Sequence, residues 1–188
     1  MRGNCIGSAG VTTFLASPNC PKLRCLCLWG CRLDDACMYT LANCTSSHLL
    51  EVLGFSGNMI RDAGICVLAS SPQMAQYTSL GLSGNQIGDI GIETLASSPY
   101  ACHLVDLDLA GNPISNTGAI ALFRSPFFSA LRRMDLRFTP IDDHALRILV
   151  DAPLSSQLQE LAISDDVCTD VTMDALKKKI GDINTCST

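Results

Sequence analysis

Apolar residues recur along this chain in a block that returns every 27 residues. The block reads Leu-x-x-Leu-x-Leu-x-x-Asn-x-Ile, with conservative replacements, and begins at Leu23, Leu50, Tyr77, Leu104, Leu131 and Leu158. Leu26, Leu53, Leu80, Leu107, Met134 and Leu161 fill its second apolar column, and Leu28, Phe55, Leu82, Leu109, Leu136 and Ile163 the third. From Asp106 to Leu109 polar and apolar residues alternate. This predicts a strand with Leu107 and Leu109 inward and Asp106 and Asp108 outward. The column that follows (Asn4, Cys31, Asn58, Asn85, Asn112, Thr139, Asp166) ends the strand. Its buried amides are expected to bond backbone groups of the turn and to form a ladder between repeats, since buried polar groups need partners. The second half of each unit reads as a helix. Asp35, Asp62, Asp89, Asn116, Asp143 and Asp170 stand where a capping acceptor belongs. Apolar residues at helical spacing follow, as in Ile65, Leu68 and Ala69, and Ser-Ser-Pro at 70–72 and 97–99 ends the helix. Units of strand, turn, helix and turn, repeated in one direction, predict an α/β solenoid. Its six strands form one parallel sheet on the concave face, with helices on the convex face.

Further columns keep the same frame. Ile6, Leu33, Ile60, Ile87, Ile114, Ile141 and Cys168 form one; Gly10, Cys37, Gly64, Gly91, Gly118, Ala145 and Thr172 another. Pro18, Pro72, Pro99, Pro126 and Pro153 form a third, with Thr45 as the exception. This resembles the ribonuclease-inhibitor-like class of leucine-rich repeats, above all in Leu104-x-x-Leu107-x-Leu109-x-x-Asn112-x-Ile114. The resemblance runs from about Asn4 to Lys179 and implies one leucine-rich-repeat domain over 1–188. That domain has a headless first repeat at 1–22 and six repeats starting at 23, 50, 77, 104, 131 and 158. The class serves inhibitors, immune receptors, GTPase activators and bacterial effectors. It therefore implies a non-catalytic protein-interaction module, with regulation of a small GTPase as the alternative.

The frame puts the strand before Leu23 upstream of residue 1. Either the chain is a piece of a longer array, or the strand at 23–29 is an exposed edge. At the other end Met173 to Lys179 is expected to form a last helix, with Lys177, Lys178 and Lys179 at its negative pole and Gly181 at its stop.

The net charge of −5 argues against nucleic acid as the main partner. No run of apolar residues is long enough to span a membrane. Residues 1–20 lack the basic start and apolar core of a signal peptide. Eleven cysteines, an odd number, fall mostly in repeat columns and read as reduced, buried small residues of a cytoplasmic protein. Cys25 and Cys27 point the same way on one strand, about 6–7 Å apart at Cβ. Their spacing is not that of a recognised zinc motif, so no metal is expected there. Neither cofactor nor catalytic motif is read: P-loop, G-x-S-x-G and H-E-x-x-H are missing, and His48, His103 and His144 fall in different repeats. Asp142-Asp143-His144 and Asp165-Asp166 are absorbed by the helix-start and Asn columns.

The outward strand columns remain. In the first three repeats they are small and nearly neutral; in the last three they carry Asp106, Asp108, Arg133, Asp135, Arg137 and Glu160. These are the candidate residues for binding a protein partner with a basic element. Trp29, the only tryptophan, is a possible second anchor. It could also pack on the first repeat.

Overall fold

The computed structural model describes residues 4, 6–16, 23–44 and 49–186. Pro18, Thr45 and His48 lie outside them, as do Cys5 and Cys20. Strand and helix alternate as the pattern requires. In order they are α1 (Gly7–Leu15), β1 (Cys25–Cys27), α2 (Asp35–Asn43), β2 (Val52–Gly54), α3 (Asp62–Ser70), β3 (Ser79–Gly81) and α4 (Asp89–Ala96). Then come β4 (Asp106–Asp108), α5 (Asn116–Phe123), β5 (Arg133–Asp135), α6 (Asp143–Asp151), β6 (Glu160–Ser164), α7 (Asp170–Lys177) and β7 (Asp182–Cys186). All the strands are parallel, in the order β1-β2-β3-β4-β5-β6-β7. Strand pairing proceeds at ~4.8 Å per repeat. Packed helices need ~8–10 Å. A stack of such units therefore curves with the sheet inside.

Register follows the frame. Leu26 pairs with Leu53, Leu53 with Leu80, Leu80 with Leu107, Leu107 with Met134 and Met134 with Leu161. Each column is stacked on itself and buried; Leu53, Leu80 and Leu107 are at most 2% exposed. Such a core is continuous along the array, because one unit cannot bury its apolar face alone.

The expected Asn ladder is present. The Asn58 carboxamide oxygen accepts from the backbone N–H of Cys31 (2.9 Å) and of Leu33 (3.0 Å) in the preceding repeat. Its NH2 donates to the carbonyls of Leu28 and Phe55. Asn85 and Asn112 likewise accept from Ile60 and Ile87 N–H and donate to two carbonyls each, those of Phe55 and Leu82 and those of Leu82 and Leu109.

The helix-start column works differently from the expectation. Asp35, Asp62, Asp89, Asn116, Asp143 and Asp170 are the first helical residues, and capping falls one residue earlier. Asp34, Ser115, Asp142 and Thr169 cap their own helices through their side chains. The column itself reaches across to the next repeat. Asp35 accepts from Arg61 N–H (2.7 Å), Asp62 from Gly88 (2.6 Å), Asp89 from Ser115 (2.8 Å), Asn116 from Asp142 (3.0 Å) and Asp143 from Thr169 (2.8 Å). Ser8 does the same for Asp34 (3.1 Å). A short acceptor in the first turn can point along the stack as well as at its own N–H groups, and here it does. Asp143 is held well below the usual carboxylate range, to about 2, by the hydroxyl and N–H groups of Thr172 and Thr169 and by Arg147.

A third ladder joins helix ends. Ser71, Ser98 and Ser125 donate to the carbonyls of Ala42 (2.6 Å), Ala69 (2.5 Å) and Ala96 (2.5 Å) in the preceding helices. The same hydroxyls accept from Gln73, Tyr100 and Phe127 N–H. Pro72, Pro99 and Pro153 each open a short 3-10 turn (Pro72–Gln76, Pro99–His103, Pro153–Ser156), where a missing N–H costs nothing. Lys179 falls in the serine column and donates to Val150 O. One lysine of the terminal run is therefore a helix cap.

Two expectations at the C-terminal end are corrected. The last helix runs from Asp170 to Lys177, and a seventh strand follows. Every earlier strand pairs with a residue 27 positions on, as Arg133 does with Glu160; Glu160 pairs with Asp182, 22 positions on. The shortened connection and a sequence with Ile183 as its one aliphatic residue hide β7 from the repeat pattern. Its polarity suits a sheet edge.

Candidate protein-docking surface

Outward side chains of β4, β5 and β6, together with Asn184 and Thr185 of β7, enclose a depression of about 420 Å³ on the sheet face. Six of the seven candidates line it: Asp106, Asp108, Arg133, Asp135, Arg137 and Glu160. Asn184 and Thr185 were missed because β7 was missed. The seventh candidate, Trp29, stands at β1, three strands away from β4. A Cβ built on Gly54 would lie 2.7 Å from the Trp29 indole nitrogen and 2.8 Å from the Cys27 sulfur. The indole thus lies over the neighbouring repeat's glycine, 38% exposed, on the same face but apart from the charged group.

Arg133 pairs with Asp106 on the adjacent strand. Arg137 grips Asp135 with two nitrogens, at 3.0 Å and 2.5 Å. Four acids and two arginines line the depression, and each arginine is taken by one acid. Asp108 and Glu160 are left over, Glu160 within electrostatic reach of Arg133. Asp108 accepts from Ala110 N–H (3.1 Å) and sits in register with Asp135. Burial pushes its carboxyl above the usual range, and the Asp135 charge adds to the shift, while Ala110 N–H, Ser83 and Arg137 oppose it. The depression thus has an unneutralised acidic centre between two occupied guanidinium groups.

Next to Arg137 a repeat column changes its residue type. Gly30, Gly57, Gly84 and Gly111 share one column with φ of 61, 68, 62 and 64°. Phe138 is next in that column, with φ 57°. Left-handed backbone costs a residue with a side chain about 1–3 kcal/mol. Phe138 is also 53% exposed. The glycine column was visible in the sequence and would have marked the exception.

The other candidate chemistry disperses. Cys25 and Cys27 bring their sulfurs to 3.4 Å. Among the described residues no group of three metal-ligating side chains stands together. Also among them, no disulfide links two cysteines. Burial raises the Cys37 thiol to about 12, helped by Asp34 and Asp35. At pH 8 only about one such thiol in ten thousand is ionised, and the thiolate is the reactive form. Alkylation of the native protein at pH 8, followed by mass spectrometry, is therefore expected to spare Cys37 and the fully buried Cys31 until denaturant is added. Rapid labelling of Cys37 in the folded chain would contradict the packing of α2. No described helix is long and apolar enough to cross a membrane.

Parallel β-α units with a stacked Asn ladder define a leucine-rich-repeat solenoid. A leucine-rich-repeat family model matches residues 78–96 and 100–123. No curated protein sequence matches the chain. Among solved structures, an internalin from Listeria monocytogenes is similar, at 17% identity and a TM-score of 0.45 over 96% of this chain. The chain spans 62% of that internalin's length. A chain of the yeast Rad7–Elc1 complex is similar at 14% identity and a TM-score of 0.42, over 97% of this chain and 68% of that one.

Proposed function

We propose that this chain is a non-catalytic protein-interaction module that binds a partner bearing a basic element through its concave sheet face. The observation that carries the reading is the contiguous acidic-centred depression across β4, β5 and β6. Its charged side chains make none of the three ladders' bonds, and Asp108 and Glu160 are in no ion pair among the described residues. The helix in each unit and the 27-residue step support the ribonuclease-inhibitor-like type of repeat.

The test is titration with a short lysine-rich peptide and with its glutamate counterpart, in low and moderate salt. The lysine peptide is expected to bind, more weakly as salt rises. The double reversal Asp108→Lys with Asp135→Lys should weaken that binding by about tenfold or more and slow association. Both carboxylates are half-buried and Asp135 holds Arg137, so the double variant should melt somewhat lower than the parent while keeping its circular-dichroism spectrum. Undiminished binding by the double variant, alongside loss of binding on changing exposed helix-face residues such as Arg147, would refute the sheet-face site.

A further inference from the structure

Phe138 holds a backbone position that four preceding repeats give to glycine. Room is not the reason for those glycines. A Cβ on Gly57, Gly84 or Gly111 would meet nothing closer than 3.5 Å. They are needed for their left-handed φ, which glycine adopts freely and an aromatic residue does not. The Phe138 ring is 53% exposed, so its own fold does not claim it by burial. Its N–H donates to the Ser164 hydroxyl at 2.9 Å, a bond that any residue with an N–H could make. The last repeat has Asp165 in the same column. Phe138 directly follows Arg137, which with Asp135 forms one side of the depression.

We propose that Phe138 is the apolar anchor of this docking surface, and that the segment it receives carries an apolar side chain beside a basic one. This rests on the sheet face being the docking surface. The basic residue is fixed by charge: Arg133 and Arg137 are occupied by Asp106 and Asp135, so Asp108 and Glu160 draw a cation. The apolar neighbour is fixed by the exposed ring on the residue next to Arg137, since aromatic residues are enriched at interfaces. An unfavourable backbone position kept for an exposed ring is a cost that binding can offset.

Three short synthetic peptides of equal length separate the outcomes: one alternating lysine with leucine, one lysine with serine, one glutamate with leucine. The parent chain should bind the lysine–leucine peptide about tenfold more tightly than the lysine–serine one. It should not bind the glutamate peptide. Phe138→Asn should lose the preference for leucine, and its melting temperature should equal or exceed the parent's, because Asn tolerates left-handed backbone. A melting temperature several degrees lower would make Phe138 a structural residue and overturn the proposal. Retention of the leucine preference by F138N, while Asp108→Lys with Asp135→Lys loses both lysine peptides, would overturn the anchor and leave the surface standing. Failure of the parent to bind either lysine peptide, or binding of both by the charge-reversed variant as by the parent, would remove the surface and the anchor with it.

Discussion

Replacing Asn85 by Ala is expected to cost about 3 kcal/mol of unfolding free energy, measured by urea denaturation of otherwise identical proteins. Asn85 is 6% exposed, and its carboxamide is used at both ends. The oxygen accepts from Ile60 N–H at 3.0 Å, and the NH2 donates to Phe55 O (3.0 Å) and Leu82 O (2.9 Å). The two carbonyls keep second donors in the ladder, Asn58 for Phe55 and Asn112 for Leu82. The Ile60 N–H loses the bond to Asn85 and is left buried, which alone costs about 1–3 kcal/mol. Asn85→Asp is a sharper comparison. It keeps the acceptor for Ile60 but faces two carbonyls with a carboxylate, and it should be no more stable than the Ala variant near neutral pH. A loss below about 1 kcal/mol for Asn85→Ala would mean that the ladder is ornament to the packing of the aliphatic columns.

Gly91→Val should be at least as damaging, again about 3 kcal/mol. A Cβ at Gly91 would lie 2.7 Å from an Asp62 carboxylate oxygen and 3.1 Å from the Asp62 Cα. That same oxygen accepts from Gly88 N–H at 2.6 Å. The added atoms must therefore either force α3 and α4 apart or evict the carboxylate from its ladder bond. A double-mutant cycle separates these. Asp62→Ala removes the carboxylate but not the Cα, so it should rescue only part of the loss in Gly91→Val. Full rescue would place the whole constraint in the side chain; additive losses would put the strain elsewhere. Gly64 and Gly118 meet Asp35 and Asp89 in the same way, whereas Ala145 and Thr172 fill the column in α6 and α7.

The strands were legible because two periods coincide in them. Alternation along Asp106-Leu107-Asp108-Leu109 fixes which side faces the core, and the 27-residue step fixes which residues become neighbours. Together they put Asp106, Arg133 and Glu160 on adjacent strands, as the pairing has it. Direction of hydrogen bonding was not legible. Asp34 and Asp35 are adjacent short acceptors at one helix start, and sequence does not say that the first caps Ala36 while the second turns to Arg61 of the next repeat. Trp29 was placed correctly on the outward face, but its lean over Gly54 depended on the absent side chain of a residue 25 positions away. β7 was lost because its pairing rests on a turn five residues shorter than the others (27 against 22 between partners). Repeat reasoning finds only what keeps the step.

The ladders also set the order in which this chain can become native. The Asp35, Asp62 and Asp89 carboxylates wait for an N–H supplied 26 residues later, and the amides of Asn58, Asn85 and Asn112 are offered back to turns already made. No bond in these three ladders reaches further than 30 residues along the chain. Spans this uniform let folding start in any pair of repeats and propagate to the next. Each repeat emerging from a ribosome can close on the one before it once about a single further unit has been released, so the growing chain carries its template at its own leading end.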